Sequence, residues 1–262
     1  MGLYHSPKIV TDGLWACWDF ANKKSFDGSN ITSMLSAENN FKDLVQATKQ
    51  TYVEQTGQLN INQWDPRGYY TVHSPAVNAN IDNFDGANTG WVFSNDLRNQ
   101  SPTNEATFEA VVETYQTTEN QDIGIFGQGS MWRLVQDKQK WEFWVRENGN
   151  GSTTTLKTGN IITKNKWYHY VGTIKTNPGL MKIYIDGEEV ASQTTPWAWG
   201  AGHTTDNMHI GQAWWGLTTS TFRGAIRLLR VYTKQLSQKQ IKQNYDTVKD
   251  WMVWAHETKT TW

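Results

Sequence analysis

The stretch that most constrains the fold spans residues 164–190, with the sequence KNKWYHYVGTIKTNPGLMKIYIDGEEV. Its first half, residues 167–172, alternates between two faces, which is the period of two that a packed β-strand requires. The turn-forming residues Asn177-Pro178-Gly179 separate this run from a second alternating run that ends at Ile185. Asp186-Gly187 then predicts a type I′ hairpin, because both central residues of that turn need a positive φ. The stretch therefore predicts three consecutive antiparallel strands, the last over residues 188–191.

Further alternating segments recur along the chain. In the segment 14–20, the side chains of Leu14, Ala16, Trp18 and Phe20 are predicted to face one way. Other predicted strands cover residues 106–115, 123–126, 131–136 and 141–146, and turn-forming residues separate them. Many short strands with one late helix predict an all-β fold, an antiparallel sandwich of two sheets.

One helix is predicted near the C-terminus. Ser237 and Gln240 have the spacing of a capping box, and the apolar residues at 241, 245 and 248 then share one helix face. An aromatic tail follows, in which subunit contacts are predicted for Trp251, Trp254 and Trp262. Such a tail is expected to be buried, either on its own sandwich or on a neighbouring subunit. The predicted organisation is an N-terminal arm (1–11), one sandwich domain (12–250) and the tail (251–262).

Composition narrows the classes of partner. The chain has 262 residues and a net charge of −1, and it shows no long basic run, so neither nucleic acid nor an anionic membrane is expected as a partner. Fifteen Trp, ten Tyr and nine Phe provide a large core in spite of a low aliphatic content. Cys17, the single cysteine, is expected to be a buried thiol. Neither a signal peptide nor a membrane span is predicted.

The central meander also carries a family resemblance. The segment Trp-Tyr-His-Tyr-Val-Gly-Thr at 167–173, followed by Lys-Ile-Tyr-Ile-Asp-Gly at 182–187, resembles the central signature of laminin G-like, concanavalin A-like jelly rolls. Residues 209–211, 222–226, 230–232 and 236–245 are similar to the closing strands and final helix of that family. The resemblance implies an all-β, two-sheet jelly-roll sandwich with one short C-terminal helix.

The first strand carries a narrower resemblance. Residues 12–22 and 25–29 are similar to the opening of laminin G-like proteins found among the virion components of bacteriophages, particularly marine phages. This resemblance implies a structural or adhesive virion subunit, such as a head decoration, fibre or tail-associated protein. Other virion proteins and further copies of the chain are the implied partners, and the implied location is the virion, assembled in the host cytoplasm.

Concanavalin A-like folds also include glycoside hydrolases, which use a pair of carboxylates. Glu142 and Glu147 are five residues apart on a predicted strand and point to opposite faces, so Glu142 is expected to be a solvated or strand-end charge. The chain is therefore predicted not to be an enzyme, with no catalytic residues and no cofactor. Laminin G-like domains often bind calcium, and the resemblance places Asp19 near the first acidic ligand position. Arg227 occupies the second such position, so no metal is predicted.

Loop tryptophans are the candidate binding residues. Trp197, Trp199, Trp214 and Trp215 lie between predicted strands, and exposed indole rings suit both sugar surfaces and protein interfaces. Three alternatives remain open for them: packing over the end of the sandwich, a protein interface, or contact with glycans. The leading hypothesis is a virion structural protein, and the alternative is a lectin-type module that binds polysaccharide on the host surface.

Overall fold

The structure is a computed structural model. It describes residues 8–19, 30–32, 46–49, 62–65, 69–72, 91–93, 104–114, 117, 123–128, 131–146, 152–176, 179–195, 208–211, 222 and 224–253. For the segments between 30 and 93, and for 208–210, only the backbone is described.

The first of two antiparallel sheets, sheet A, has eight strands. Its strand order is β14-β13-β12-β7-β16-β5-β4, and β1 also pairs with β16. The strands are β1 (Leu14–Asp19), β4 (Asn62–Asp65), β5 (Tyr69–Val72), β7 (Glu105–Thr114), β12 (Trp167–Lys175), β13 (Gly179–Ile185), β14 (Glu188–Thr195) and β16 (Gly224–Tyr232).

The second sheet, sheet B, also has eight strands, in the order β11-β10-β9-β8-β15-β6-β3-β2. The strands are β2 (Asn30–Thr32), β3 (Gln46–Lys49), β6 (Trp91–Phe93), β8 (Ile123–Gln128), β9 (Trp132–Asp137), β10 (Lys140–Arg146), β11 (Thr153–Lys157) and β15 (Met208–Ile210). Two antiparallel sheets face to face confirm the predicted sandwich.

The meander predicted at residues 164–190 is confirmed as strands β12, β13 and β14. Asp186 has a φ of 53° and Gly187 a φ of 86°, as a type I′ hairpin turn requires. The third strand is longer than predicted, because it extends from Glu188 to Thr195. It lies at an edge of sheet A, so its polar side chains gave no alternation that could have revealed its length.

The main core lies between the two sheets and is rich in aromatic side chains. Phe108 on sheet A stacks on Trp132 of sheet B, with ring centroids 3.6 Å apart. Trp141 of sheet B likewise stacks on Tyr170 of sheet A at 4.8 Å. These large rings fill the space that a core of aliphatic residues would otherwise occupy, as the composition predicts.

Strand β1 contains a β-bulge that reverses one predicted orientation. Leu14 pairs with Tyr232 and Ala16 pairs with Val231, so Trp15 is an extra residue in β1. The prediction that Leu14 faces the same way as Ala16 and Trp18 was therefore wrong, because the extra residue shifts the alternation. Leu14 and Cys17 instead pack on the outer face of sheet A, and Cys17 is buried as predicted.

Helix α1 (Gln238–Asp246) begins at the predicted capping box, in which the Ser237 and Gln240 side chains each bond to the other residue's backbone. The prediction of a single helix was incomplete, since a second short helical segment covers residues 249–253. Thr247 ends α1, and its hydroxyl donates a hydrogen bond to the carbonyl oxygen of Asn244. Such a bond competes with the helical backbone pattern and divides the helix.

Candidate functional site

The two outer faces of the sandwich differ in what covers them. On sheet A, a second apolar cluster lies between the strands and α1, with buried Ile241 on α1, Val248 just after the end of α1, and Val10 from the arm. Sheet B has no such cover among the described residues, since α1 and residues 9 and 10 pack on sheet A. A site for a large ligand is therefore expected on the outer face of sheet B. In the part of the chain that the structure describes, no helix has the length and apolar character needed to span a membrane.

A buried charge cluster joins α1 to the outer face of sheet A. The register of β7 and β16 places Glu109 directly opposite Arg230, whose Nη1 donates to Glu109 Oε1 at 2.6 Å. His169 Nε2 lies 2.9 Å from the same oxygen. Asn244 on α1 donates from Nδ2 to Glu109 Oε2 at 2.8 Å. One carboxylate therefore connects two strands and the helix.

Electrostatics explains why these charges are tolerated without solvent. Burial by itself would raise the pKa of Glu109, but the positive charge of Arg230 and the bonds from His169 and Asn244 lower it to about 2. Burial would likewise lower the pKa of Arg230, and the Glu109 carboxylate raises it above its ordinary value. Glu109 is 1% exposed and His169 is fully buried. We assign this cluster a structural role, since a ligand cannot reach it.

The arm is tied to the same cluster. The backbone N–H of Val10 donates to Asn244 Oδ1 at 2.8 Å, and Gln243 Nε2 donates to the Lys8 carbonyl oxygen at 2.6 Å. Asn244 thus uses both ends of its amide, one toward Glu109 and one toward the arm. Sequence analysis missed Glu109, Arg230 and Asn244, because residues so distant along the chain share no local pattern.

On sheet B, alternation along the strands creates a row of outward side chains. Trp141, Phe143 and Val145 of β10 face the core, so the residues between them point away from it. Cross-strand pairing then places Trp144 between Arg133 of β9 and Thr155 of β11. We use the name outer strip for the accessible residues of this face, namely Trp144, Arg146, Thr153, Thr155 and Lys157.

Trp144 lies at the centre of the outer strip. Arg133 Cζ lies 4.0 Å from the centroid of the Trp144 ring, within the range of a cation–π contact. Gly127 is paired with Arg133, and a Cβ at residue 127 would lie 2.9 Å from Arg133 Cγ. The glycine therefore leaves room for the stem of Arg133. The buried arginine fixes the orientation of a half-buried indole ring.

Lys157 lies at the end of the outer strip away from Arg146. Its Nζ lies 3.0 Å from Asp137 Oδ2 and 2.7 Å from Glu142 Oε2. Burial alone would lower the pKa of Lys157, but the hydrogen bonds to Glu142 and Asp137 raise it above its ordinary value. Glu142 was expected to be a solvated or strand-end charge, yet it is 2% exposed. The sequence could not show this, since its partner Lys157 belongs to a different strand.

The predicted site residues fall mostly elsewhere. Trp197, Trp199, Trp214 and Trp215 lie outside the described residues, as do Trp254, Trp262 and Glu147. Trp251 is described and packs on its own sandwich, edge-to-face against Trp167 with the ring centroids 4.8 Å apart. Its contact with another subunit stays a prediction. Sequence analysis missed Trp144, although its outward position in the alternating segment 141–146 could have revealed it.

An arginine occupies the position at which the family resemblance implies a calcium ligand. Arg227 is the extra residue at a β-bulge of β16, and its guanidinium forms an ion pair with Asp19. Burial lowers the pKa of Arg227 to about 10, so the side chain stays positively charged at neutral pH. Within the described ranges, no group of three or more His, Cys, Asp or Glu side chains has a geometry suited to a metal ion.

Comparison with known proteins identifies the class to which this fold belongs. Residues 85–242, more than half of the chain, match the laminin G family of the concanavalin A-like lectin/glucanases superfamily. The chain belongs to this superfamily. No curated protein matches the chain.

Solved structures share the fold at low sequence identity. A Trypanosoma rangeli sialidase, in complex with 2,3-difluoro-KDN, is 17% identical with a TM-score of 0.60, covering 96% of this chain and 36% of the sialidase. The binding domain of botulinum neurotoxin DC, in complex with SialylT, is 12% identical with a TM-score of 0.60, covering 91% and 52% of the two chains. The binding domain of Paraclostridial Mosquitocidal Protein 1 is 12% identical with a TM-score of 0.60, and the match covers 89% of this chain and 52% of that domain's chain. This chain thus spans about a third to a half of their lengths.

These matches correct one prediction. The chain was predicted not to be an enzyme, and that prediction is contradicted because sialidases, which are enzymes, are among the most similar solved structures. At 17% identity the likeness shows the shared fold and assigns no reaction to this chain. Glu142 and Glu147 belong to one predicted strand, whereas a fold of this kind brings together side chains from many strands, so the orientation of these two glutamates could not exclude a catalytic pair elsewhere.

Proposed function

We propose that this chain is a glycan-binding module and that the outer strip on β10 and β11 contacts the sugar. The observation that carries the proposal is the half-buried Trp144 ring, held by Arg133 at 4.0 Å, on the sheet face that neither α1 nor the arm covers. Binding by an already oriented ring loses little side-chain entropy, which favours recognition by a rigid sheet.

The chemistry around Trp144 suits a carbohydrate. The flat indole face can pack on the C–H surface of a sugar ring, and the hydroxyls of Thr153 and Thr155 can both donate and accept hydrogen bonds. Lys157 is 40% exposed and Arg146 is half-exposed, so both can donate to sugar oxygens. An aromatic platform with a few polar groups beside it is the common composition of a small-ligand site.

The comparisons support this proposal over the virion role. The superfamily is named after lectins and glucanases. The neurotoxin binding domain of similar fold was solved in complex with SialylT. A sialidase of the same fold was solved in complex with sialic acid. Trp197, Trp199, Trp214 and Trp215 remain candidates for additional sugar contacts, since they lie outside the described residues.

A pair of tryptophan variants tests the proposal. Trp144→Ala is expected to weaken binding to a polysaccharide or an arrayed glycan by about tenfold or more, because a central aromatic contact often dominates a small interface. Trp251→Ala is the matched control, since it removes a half-buried tryptophan from the opposite outer face of the sandwich. Failure of the wild-type chain to bind any glycan, or equal binding by wild type and Trp144→Ala, would contradict the proposal.

The virion role predicted from residues 12–29 stays a prediction. This role is tested by identifying the proteins in purified virus particles and by measuring whether deletion of residues 251–262 prevents particle assembly. Glycan binding and a place in a particle are compatible, because a particle subunit can present a sugar-binding face. The polysaccharide assay therefore tests the module, and the particle assay tests its location.

A further inference from the structure

We infer that the sugar bound by the outer strip is acidic, and that Arg146 holds its carboxylate while the sugar ring packs on Trp144. The inference rests on the proposed function, because it names the class of sugar at the same site. Trp144 and Arg146 are two residues apart on β10, and both point away from the core. Arg146 is half-exposed, so a ligand can reach it.

The side chain of Arg146 has no partner among the described residues. Its Nε is buried without a hydrogen-bond acceptor, and no described carboxylate forms an ion pair with its guanidinium. The other described arginines differ, since Arg227 and Arg230 each pair with a carboxylate and Arg133 lies over an indole ring. A buried donor without an acceptor costs free energy, and native proteins contain few of them. A ligand that brings an acceptor to Arg146 removes this cost.

The carboxylates on this face of sheet B are used elsewhere. Strands β8 to β11 carry two of them, Asp137 and Glu142, and Lys157 binds both, at 3.0 and 2.7 Å. Glu142 is four residues from Arg146, or about 13 Å along β10. That distance is too long for a hydrogen bond. Arg146 is therefore a positive charge at one end of the outer strip, away from the negative charges at the other end.

The spacing of Trp144 and Arg146 suits a sugar with a carboxylate attached directly to its ring. Two residues along a strand span about 7 Å. A hexuronic or sialic acid whose ring packs on the indole can therefore direct its carboxylate at the guanidinium. Strand β11 supplies a hydroxyl beside each part of the sugar, because Thr155 is paired with Trp144 and Thr153 is paired with Arg146.

An ionised group fits Arg146 better than a neutral hydroxyl. The planar guanidinium can donate two parallel N–H bonds to one carboxylate, and hydrogen bonds to ionised groups are about twice as strong as neutral ones. A sulfate ester also carries a negative charge, but it is attached through a hydroxyl oxygen and lies farther from the sugar ring. The carboxylate is therefore the group expected at Arg146.

Oligosaccharides that differ only in charge test the inference. The probes are trigalacturonate and sialyllactose, each compared with its neutral methyl ester, and 6′-sulfolactose, which carries a sulfate ester instead. Isothermal titration calorimetry measures the affinities. The wild-type chain is expected to bind at least one of the two acids about tenfold or more tightly than its ester, because the ionised acceptor strengthens the bonds from Arg146. Added salt is expected to weaken binding of that acid and not of its ester.

A pair of charge variants assigns this preference to Arg146. Arg146→Gln is expected to lower the affinity for the acid to that for the ester, and to leave the affinity for the ester unchanged. Lys239→Gln is the matched control, because it also removes one positive charge, from an exposed position on α1, which covers sheet A. Urea unfolding checks that both variants are folded.

Equal affinities of the wild-type chain for each acid and its ester would overturn the inference, as would equal losses in Arg146→Gln and Lys239→Gln. Tighter binding of 6′-sulfolactose than of both acids would also overturn it. If Trp144→Ala still weakens binding in those cases, the proposed function stands without the acidic sugar. A wild-type chain that binds neither acids nor esters nor any other glycan would refute both.

Discussion

Replacing Glu109 with glutamine tests the buried charge cluster most directly. Glu109→Gln keeps the size of the side chain and one oxygen acceptor, but removes the negative charge that Arg230 and His169 contact at 2.6 and 2.9 Å. Arg230 then stays buried without its counter-ion. Removing one partner of a buried ion pair typically costs about 3–5 kcal/mol.

The pKa of Glu109 gives an independent value for the free energy that its charge contributes to folding, and this value is of similar size. The pKa lies at about 2 in the folded protein, against an ordinary value of 4.5. At about 1.36 kcal/mol for each pKa unit, ionised Glu109 contributes about 3 kcal/mol to folding at neutral pH. Because the folded-state pKa is lowered, this contribution is complete above pH 4.5 and is lost as the pH falls through about 2.

Urea unfolding followed by tryptophan fluorescence measures this prediction. At pH 7 Glu109→Gln is expected to lower the free energy of unfolding by about 3–5 kcal/mol, and at pH 3 the difference from wild type is expected to shrink by about 2 kcal/mol. Glu189→Gln is the control, because the exposed pair of Glu189 with Lys182 contributes little. A loss at pH 7 below about 1 kcal/mol, or an equal loss at both pH values, would refute the reasoning.

Two further substitutions test the packing and the helix. Gly172→Ala would place a Cβ 2.8 Å from Phe143 and 2.9 Å from Leu134 across the core, so we expect the free energy of unfolding in urea to fall by about 1–3 kcal/mol. An unchanged free energy of unfolding would contradict this, because the two sheets would then accommodate the methyl group without cost. Ser237→Ala removes the side-chain acceptor of the Gln240 N–H, and we expect a loss of about 1 kcal/mol, measured in the same way, whereas Ser237→Asp should retain most of the stability.

The sequence pattern predicts only part of the outer strip. The alternation of residues 141–146 correctly separates core-facing Trp141 from outward-facing Trp144. It does not reveal that Arg133 packs against the Trp144 ring or that Lys157 covers Glu142, because the three strands β9, β10 and β11 meet only through their register. The predicted site therefore centred on loop tryptophans and omitted Trp144, which the structure places on the outer face of sheet B.

Local patterns by themselves determined the elements of this protein. The hairpin at Asp186-Gly187 follows from the positive φ that this turn needs, and the capping box at Ser237 follows from side chains three residues apart. Burial of Cys17 likewise follows from its place in an alternating apolar strand. Each of these properties depends on residues within a few positions of one another.

Tertiary structure alone decided which distant residues meet. Glu109, His169, Arg230 and Asn244 are spread over more than a hundred positions. The pairing of β7 with β12 and β16 brings the first three together, and the packing of α1 on sheet A adds Asn244. The bulge that turns Leu14 away from Ala16 likewise depends on the pairing of β1 with β16. Strand pairing is a long-range choice made by the whole packed core, so a local period of two can show that a strand exists but not which strand lies beside it.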